Sequence, residues 1–214
     1  MKKLITSLFL LLIPLVACAT IFIQTTDFLF SDYFTTDTTG DYTEIDTWGT
    51  AGVFSYDGTN DRAEIVTNDN TGLAVTQAVT SATNGTFSIL FRPHTINSGW
   101  GFALFKIRLL QDDNNYYEVC YVDDTYADNT DCDGLYKYVD KDDANWDDKD
   151  ASANYYSQDT DYTVVINFSP TETTVTGFGE TLTIDTETTS LAIDTIYIEM
   201  AQQEGYIDNI EYGL

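Results

Sequence analysis

Residues 102–122 read FALFKIRLLQDDNNYYEVCYV, and this stretch decides the fold class. Apolar and polar side chains alternate through residues 102–110 and again through residues 116–122, which is the period of half-buried β-strands. Between them, the run Asp-Asp-Asn-Asn at 112–115 is typical of a tight turn. The stretch therefore predicts an antiparallel hairpin with one apolar face and one polar face.

The same alternation recurs in short segments along the rest of the chain. Clusters of Asp, Asn, Gly and Ser separate these segments, and none has the 3.6-residue period of a helix. Many antiparallel strands without interleaved helices predict an all-β fold, namely an antiparallel two-sheet β-sandwich or jelly roll. The acidic stretch 141–159 is predicted to be a long loop. The clearest further strands cover residues 86–92, 135–139, 162–168, 181–185, 195–200 and 205–212.

Length and charge narrow the classes of function. The chain has 214 residues, enough for one domain of this kind, and no linker composition or repeat divides it. It carries 9 Lys and Arg against 35 Asp and Glu, a formal net charge of −26. Such a surface repels phosphate backbones, which excludes nucleic acid as a partner. Hydrophobic content of 43% and aromatic content of 14% exclude a disordered acidic tail.

The N-terminus predicts export. Lys2 and Lys3 precede an apolar run over residues 4–16, so residues 1–18 resemble a signal peptide. Residues 15–18 (LVAC) resemble a bacterial lipobox, which makes Cys18 the predicted site of lipidation and of membrane attachment. Ordinary cleavage at the Ala-Cys-Ala at 17–19 and an uncleaved anchor over residues 4–23 are the alternatives. In each case the jelly-roll domain, residues 27–214 after a short segment 19–26, is extracellular or at the cell surface.

The two remaining cysteines agree with this compartment. Cys120 and Cys132 form an even pair in an oxidising environment, where a disulfide is expected. Bridging the acidic loop between them would remove about 3 kcal/mol of unfolded-state entropy. Two free thiols are the alternative.

Four successive predicted strands carry charged residues on their polar faces, namely the four cations Arg92, Lys106, Arg108 and Lys137, with Glu118 among them. If these strands are neighbours, an acidic protein carries one basic, hydrogen-bonding sheet face. Guanidinium and ammonium groups there suit hydroxyl pairs or a carboxylated or sulfated glycan. Cross-strand pairing of the cations with Glu118 and nearby carboxylates is the alternative.

Aromatic and acidic residues in turns supply further candidates for a site. Trp100 and Trp146 lie in turn-like segments, where a flat ring can pack on the C–H face of a sugar. Asn129, Asp131 and Asp133 match the N-x-D-x-D-G start of a calcium loop. A strand over residues 135–139 conflicts with a complete loop of that kind, and a solvated acidic turn is the alternative.

Three segments resemble the concanavalin A-like lectin/glucanase superfamily, and its laminin-G-like branch in particular. They are residues 31–34 (SDYF), 98–119 (SGWGFALFKIRLLQDDNNYYEV) and 205–214 (GYIDNIEYGL). The resemblance implies an N-terminal strand beside the C-terminal strand, a concave face that binds glycans and a structural calcium near Asp32 and Asp208. The glucanases of this family carry an E-x-D-x-E strand. Residues 44–48 (EIDTW) begin in that way but lack the final acid.

These observations predict a non-catalytic, lectin-like carbohydrate-binding domain that is supported by calcium and is not an enzyme. A structural subunit of a surface layer, filament or virion is a second hypothesis. In it, the apolar segment 21–30 (IFIQTTDFLF) pairs with the sheet edge of another subunit in self-assembly. A polysaccharide lyase is a third, with Arg92 neutralising a uronate and with His94 or Tyr116 as the base.

Overall fold

The computed structural model describes residues 28–49, 52–68, 71–96, 102–124, 136–142, 145–150, 157–177, 179–184 and 191–214. Within these ranges the chain forms β-strands in two antiparallel sheets and one short 3-10 helix, Thr39–Asp41. No helix in the described ranges has the length and apolar character needed to cross a membrane.

One sheet contains eight of the described strands. Its order is β13-β12-β11-β6-β15-β4-β3, and β1 pairs with the other end of β15. The strands are β1 (Phe28–Asp32), β3 (Val53–Asp57), β4 (Arg62–Val66), β6 (Gly85–Ile96), β11 (Tyr162–Phe168), β12 (Thr173–Gly177), β13 (Glu180–Ile184) and β15 (Gln203–Gly213).

The other sheet contains seven of the described strands, in the order β10-β9-β8-β7-β14-β5-β2. They are β2 (Thr43–Trp48), β5 (Gly72–Ala82), β7 (Phe102–Asp112), β8 (Asn115–Asp124), β9 (Tyr136–Asp142), β10 (Asn145–Asp150) and β14 (Ile193–Ala201). Strand β14, far along the chain, lies between β5 and β7 and joins the two halves of this sheet.

The core lies between the inner faces of the two sheets, where the alternation predicted it. Phe87, Ile89 and Phe91 of β6 belong to this core together with Phe105 and Ile107 of β7, and all five are fully buried. The rings of Phe91 and Phe105 stack with their centroids 3.9 Å apart. Burial of these apolar side chains provides the main stabilisation of the sandwich.

The predicted hairpin of residues 102–122 is confirmed as β7 and β8. Its turn pairs Asp112 with Asn115, and the Asp112 carboxylate accepts a hydrogen bond from the backbone N–H of Asn114 at 2.8 Å. The predicted neighbour relation of the terminal strands is confirmed as well, since Asp32 of β1 lies opposite Ile210 of β15.

Two sequence predictions about the arrangement of strands are wrong. Part of the stretch 141–159 is a strand rather than a loop, because residues 145–150 pair along β9 as β10. Arg92 does not share a sheet with the other three predicted cations, because β6 belongs to the eight-stranded sheet and β7, β8 and β9 to the seven-stranded one. Alternation fixes the two faces of a strand but does not determine the sheet in which the strand lies.

Candidate functional site

The outer face of the seven-stranded sheet carries rows of polar and aromatic residues in register. One row runs across five strands, with Thr43, Thr76, Tyr197, Arg108 and Glu118 opposite one another in turn. These residues point outward because their neighbours Val75, Ile107, Val119 and Ile198 are buried in the core. The antiparallel register thus gathers on one surface residues that are far apart in the sequence.

Arg108 is at the centre of this face. Its Nε donates to Glu118 Oε2 at 2.5 Å, and its guanidinium carbon lies 4.7 Å from the ring centroid of Tyr116 and 5.3 Å from that of Tyr197. Burial alone would lower the pKa of Arg108, but the charge and hydrogen bond of Glu118 outweigh it and raise the pKa. Arg108 is therefore a fixed cation held between two rings.

A second ion pair lies in the next row. Lys106 Nζ is 3.6 Å from Glu199 Oε2, and the Tyr197 hydroxyl donates to the same oxygen at 2.8 Å. Burial, followed by the charge of Glu199, raises the pKa of Tyr197 far above its usual value, so its hydroxyl keeps its proton. The cross-strand pairing that the sequence left as an alternative is thus present for Lys106 and for Arg108.

Beside these ion pairs the face sinks into an open depression of about 380 Å³. It combines apolar side chains, one aromatic ring, one guanidinium and several hydrogen-bonding groups, a mixture suited to a ligand with both hydroxyl groups and C–H surfaces. We call it the β14 depression, and it is lined by Ile45, Thr76, Arg108, Leu110, Gln111, Asp112, Asp113, Thr195 and Tyr197.

The turn between β7 and β8 forms the rim of the β14 depression. The Asp112 carboxylate accepts hydrogen bonds from the Asn115 side chain at 2.9 Å and from the Asn114 backbone, and these bonds lower its pKa. The Gln111 side chain accepts a hydrogen bond from the backbone N–H of Ala192 at 2.9 Å, which ties the rim to the segment before β14. The rim is thus held in place by its own side chains.

The other predicted ligand-binding residues lie elsewhere or are only partly described. By backbone register, Lys137 of β9 lies opposite Cys120 of β8, which is itself opposite Lys106. Trp146 of β10 lies opposite Lys141, and Lys141 lies opposite Tyr116, so Trp146 occupies the edge of the same sheet. Trp100 lies outside the described residues.

Arg92 and His94 form a different cluster on the outer face of the eight-stranded sheet. Arg92 pairs with Asp161 at 3.0 Å, and His94 Nδ1 lies 2.9 Å from the Asp159 carboxylate. The hydrogen bond with His94 is the main cause that lowers the pKa of Asp159. Tyr116 lies on the other sheet and is therefore not brought together with Arg92. His94, the other base that the lyase hypothesis named, lies near Arg92, and both side chains contact Asp159.

The acids of the partial glucanase motif also point away from the β14 depression. Residues 44–48 belong to β2, the edge strand of the seven-stranded sheet. Ile45 lines the β14 depression, and alternation therefore directs Glu44 and Asp46 to the opposite side of the strand. Both acids are exposed to solvent.

Asp32 of β1 lies opposite Ile210 of β15, two residues along that strand from Asp208. Burial raises the pKa of Asp208, and the charge of Asp32 adds to this rise. Both Asp32 oxygens already accept hydrogen bonds, Oδ1 from the Phe34 N–H at 2.9 Å and Oδ2 from the hydroxyls of Thr38 and Tyr42. Within the described ranges no group of three acidic, His or Cys side chains could hold a metal.

Several predicted residues lie outside the described ranges. These are Asn129, Asp131 and Asp133 of the calcium loop, Cys18 of the lipobox and Cys132 of the predicted disulfide. Cys120 itself is fully buried on β8. Calcium binding, lipidation and the disulfide therefore stay predictions.

The sequence analysis missed Tyr197, Thr76 and Ile45 as site residues. Alternation in residues 195–200 already places Thr195, Tyr197 and Glu199 on the polar side of their strand. What the sequence could not provide is the pairing of β14 with β7, which joins them to Arg108. The missing signal was the order of strands.

Neither a protein-family model nor a curated protein matches this sequence. Solved structures do match it in fold. The β-glucanase of Bacillus licheniformis aligns with a TM-score of 0.59 at 10% identity, over 86% of this chain and 97% of that one. A Bacillus subtilis protein of unknown function with a galectin-like fold aligns with a TM-score of 0.63 at 10% identity, over 87% and 95%.

A third match is a binding module. The carbohydrate-binding module CBM66 of Bacillus subtilis aligns with a TM-score of 0.53 at 8% identity, over 81% of this chain and 96% of that one. Together these likenesses show that the fold is a jelly roll of the concanavalin A-like kind, which is the fold that the resemblance in the sequence implied. Both a hydrolase and a binding module have this fold, so the activity must be argued from the site.

Proposed function

We propose that this protein is an exported, non-catalytic carbohydrate-binding domain that holds a glycan in the β14 depression. The observation that carries the proposal is the composition of that surface. Tyr197, Leu110 and Ile45 offer aromatic and apolar contact, while Arg108, Thr76 and Gln111 offer hydrogen bonds beside it. Sugar rings present these same two kinds of surface. A carbohydrate-binding module, CBM66, and a protein with a galectin-like fold share the fold of this chain, which supports the proposal.

The carboxylates near the β14 depression support binding rather than hydrolysis. Glycoside hydrolysis uses two carboxyl groups that flank the bond, one of them protonated. Glu118 and Glu199 are only 6% and 4% exposed, and each is engaged with a cation. Neither is among the described residues that line the β14 depression. Glu44 and Asp46 point away from it. The two acids that do line it, Asp112 and Asp113, are adjacent residues of one turn on its rim, so both lie on the same side of a ligand, and hydrogen bonds from Asn115 and Asn114 lower the pKa of Asp112.

The test is retention of the protein on immobilised polysaccharides. We expect wild-type protein to be retained by at least one polysaccharide. Replacing the partly exposed Ile45 with Ser should weaken retention about tenfold. The reason is that an aliphatic contact that becomes buried under the bound sugar contributes about 1 kcal/mol or a little more to binding. Val53→Ser is the matched control, because Val53 is an exposed aliphatic on β3, the edge strand of the other sheet.

Two outcomes would contradict the proposal. Failure of the wild type to bind any polysaccharide in a broad panel would contradict the proposed carbohydrate-binding function. Equal loss of retention in Ile45→Ser and Val53→Ser would contradict the β14 depression as the binding site. The two residues lie on different sheets, so an equal loss would reflect only the general effect of replacing an exposed aliphatic side chain. In addition, release of reducing sugar ends from a bound polysaccharide would show that the protein is a hydrolase and not a binding domain.

We also propose that lipidated Cys18 attaches the domain to a membrane and that calcium stabilises it. The lipobox-like LVAC supports the first and the N-x-D-x-D-G run at 129–134 supports the second. Cys18→Ser should move the protein from the membrane fraction to the soluble fraction. Calcium should raise the melting temperature, and a chelator should reverse the rise. A wild-type protein found in the soluble fraction would contradict the membrane attachment. A melting temperature that does not change with calcium would contradict the stabilisation by calcium.

A further inference from the structure

Two cations on the outer face of the seven-stranded sheet, Arg108 and Lys106, are each paired with a carboxylate. Arg108 is bound by Glu118 at 2.5 Å, and Lys106 lies 3.6 Å from Glu199. Each pair is formed across neighbouring strands, so the sheet register itself matches every one of these cations with a carboxylate. The basic patch expected from the sequence therefore carries no net positive charge at these four residues.

The surroundings of the β14 depression add negative charge. Asp112 and Asp113 lie on its rim, and hydrogen bonds from Asn115 and Asn114 lower the pKa of Asp112 and keep it ionised. On β9, backbone register sets Lys137 opposite Asp150 of β10, whereas Lys141 lies opposite Trp146. The whole chain carries a formal net charge of −26. A uronate or sulfate group approaching this face meets repulsion on average.

We propose, on the basis of the proposed function, that Glu118 and Glu199 make the β14 depression selective for uncharged glycans. Glu118 determines the specificity through Arg108. By neutralising the guanidinium it leaves a donor that can meet sugar hydroxyls, and it removes the excess charge that would attract carboxylate or sulfate. Arg108 is 29% exposed in its side chain, so its charge is open to a ligand as soon as its partner loses its own.

The test uses pairs of polysaccharides that differ only in charge. Dextran is compared with dextran sulfate, and fully methyl-esterified pectin with pectate, by the retardation of the folded protein in gels containing each polymer. These four polymers are added to a panel of neutral β-glucan, galactan and mannan. We expect retention by neutral polymers, unaffected by salt, and none by the charged member of each pair.

A substitution tests the role of Glu118 directly. Glu118→Gln keeps the shape and a hydrogen-bond acceptor but removes the charge. It should therefore gain about tenfold or more in retention by dextran sulfate and pectate, and salt should abolish the gain. Glu118→Asp keeps the charge and should go on rejecting these polymers. Glu172→Gln is the matched control, because it makes the same change in net charge on an exposed loop residue of the other sheet.

The outcomes separate this inference from the proposed function. Stronger retention of the wild type by charged polymers than by their neutral partners would overturn the selectivity and leave glycan binding standing. A folded Glu118→Gln that gains nothing, or a Glu172→Gln that gains as much, would overturn the role of Glu118. Retention by no polymer would overturn the proposed function and this inference with it. The wild-type comparison decides the selectivity even if Glu118→Gln does not fold.

Discussion

Gly177 shows how the packing of the core depends on single residues. It lies on β12, directly against Tyr121 of β8 in the other sheet, and a Cβ at this position would lie 2.6 Å from the Tyr121 hydroxyl oxygen. Tyr121 is fully buried, so it could move away only by displacing its neighbours in the packed core. We expect Gly177→Ala to lower the free energy of unfolding by about 1–3 kcal/mol through overpacking, measured by urea denaturation.

A second substitution identifies the cause. In a Tyr121→Phe background the hydroxyl is gone, and Gly177→Ala should then cost clearly less than in the wild type. An equal cost in the two backgrounds would show that the loss arises from the backbone of β12 and not from this contact.

Asp208 is a residue whose burial makes stability depend on pH. Burial, helped by the charge of Asp32, raises its pKa above the usual 3.8. Because this pKa is higher in the folded state than in the unfolded state, Asp208 contributes a stability that is fully present below the unfolded pKa. That stability is lost as the pH rises through the folded pKa. Asp208→Asn should therefore melt at a higher temperature than wild type at neutral pH, and the difference should vanish in acid.

The control for Asp208 is an exposed carboxylate. Asp46→Asn makes the same change in charge on the edge strand β2, where the side chain is solvated. Similar gains at neutral pH in the two variants would attribute the effect to net charge instead of burial. A lower melting temperature for Asp208→Asn at neutral pH would contradict the account outright.

At the scale of elements, the hairpin of β7 and β8 supplies both the central cation and the rim of the β14 depression. Its turn depends on Asp112, whose pKa is lowered by hydrogen bonds from Asn115 and Asn114. Because this pKa is lower in the folded state than in the unfolded state, ionised Asp112 contributes a stability that is present above the unfolded pKa. That stability is lost as the pH falls through the folded pKa. Asp112→Ala should thus be less stable than wild type at neutral pH, with a difference that fades in acid.

Asp112→Asn separates charge from geometry in this turn. Its side-chain oxygen can still accept the hydrogen bond from the backbone of Asn114, so it should retain part of the stability that Asp112→Ala loses. Thermal melts across a pH series measure all three proteins. A difference between wild type and Asp112→Ala that does not depend on pH would show that the ionised carboxylate plays no part.

Strands with strict alternation could be predicted from the sequence, and those without it could not. Residues 162–168 alternate cleanly and form β11 with the predicted bounds. Residues 145–150 (NWDDKD) contain one apolar side chain among charged and amide groups, yet they pair with β9 at the edge of the sheet. Backbone pairing at a sheet edge needs no buried face, so β10 leaves no apolar pattern to detect.

At the scale of the whole molecule, net charge opposes the compact fold. A formal charge of −26 on 214 residues produces self-repulsion that salt screens. The melting temperature should rise as sodium chloride increases from about 10 mM to about 1 M, over which the Debye length falls from about 30 Å to about 3 Å. An equal osmolality of sucrose is the control. A melting temperature that falls with salt would show that attractive ion pairs outweigh the repulsion.

The candidate site was only partly accessible from the sequence, for a reason that belongs to topology. Arg108, Lys106 and Glu118 lie on one hairpin, so local alternation was enough to place them on one face. Tyr197 and Thr76 reach the same face through β14 and β5, whose pairing is non-local. Arg92 was assigned to this face by the same reasoning and lies on the other sheet. Non-local strand order is the information that local pattern lacks.

Hydrogen–deuterium exchange tests the central claim most directly, measured with and without neutral oligosaccharides of the polymer that retains the protein best. We predict that bound sugar slows exchange in β14, in β7 and in the turn at 111–113, with little change in β3, β4 and β12. Protection confined to the eight-stranded sheet, near Arg92 and His94, would contradict the assignment of the site. Absence of any protection at saturating sugar would contradict the β14 depression as a binding surface.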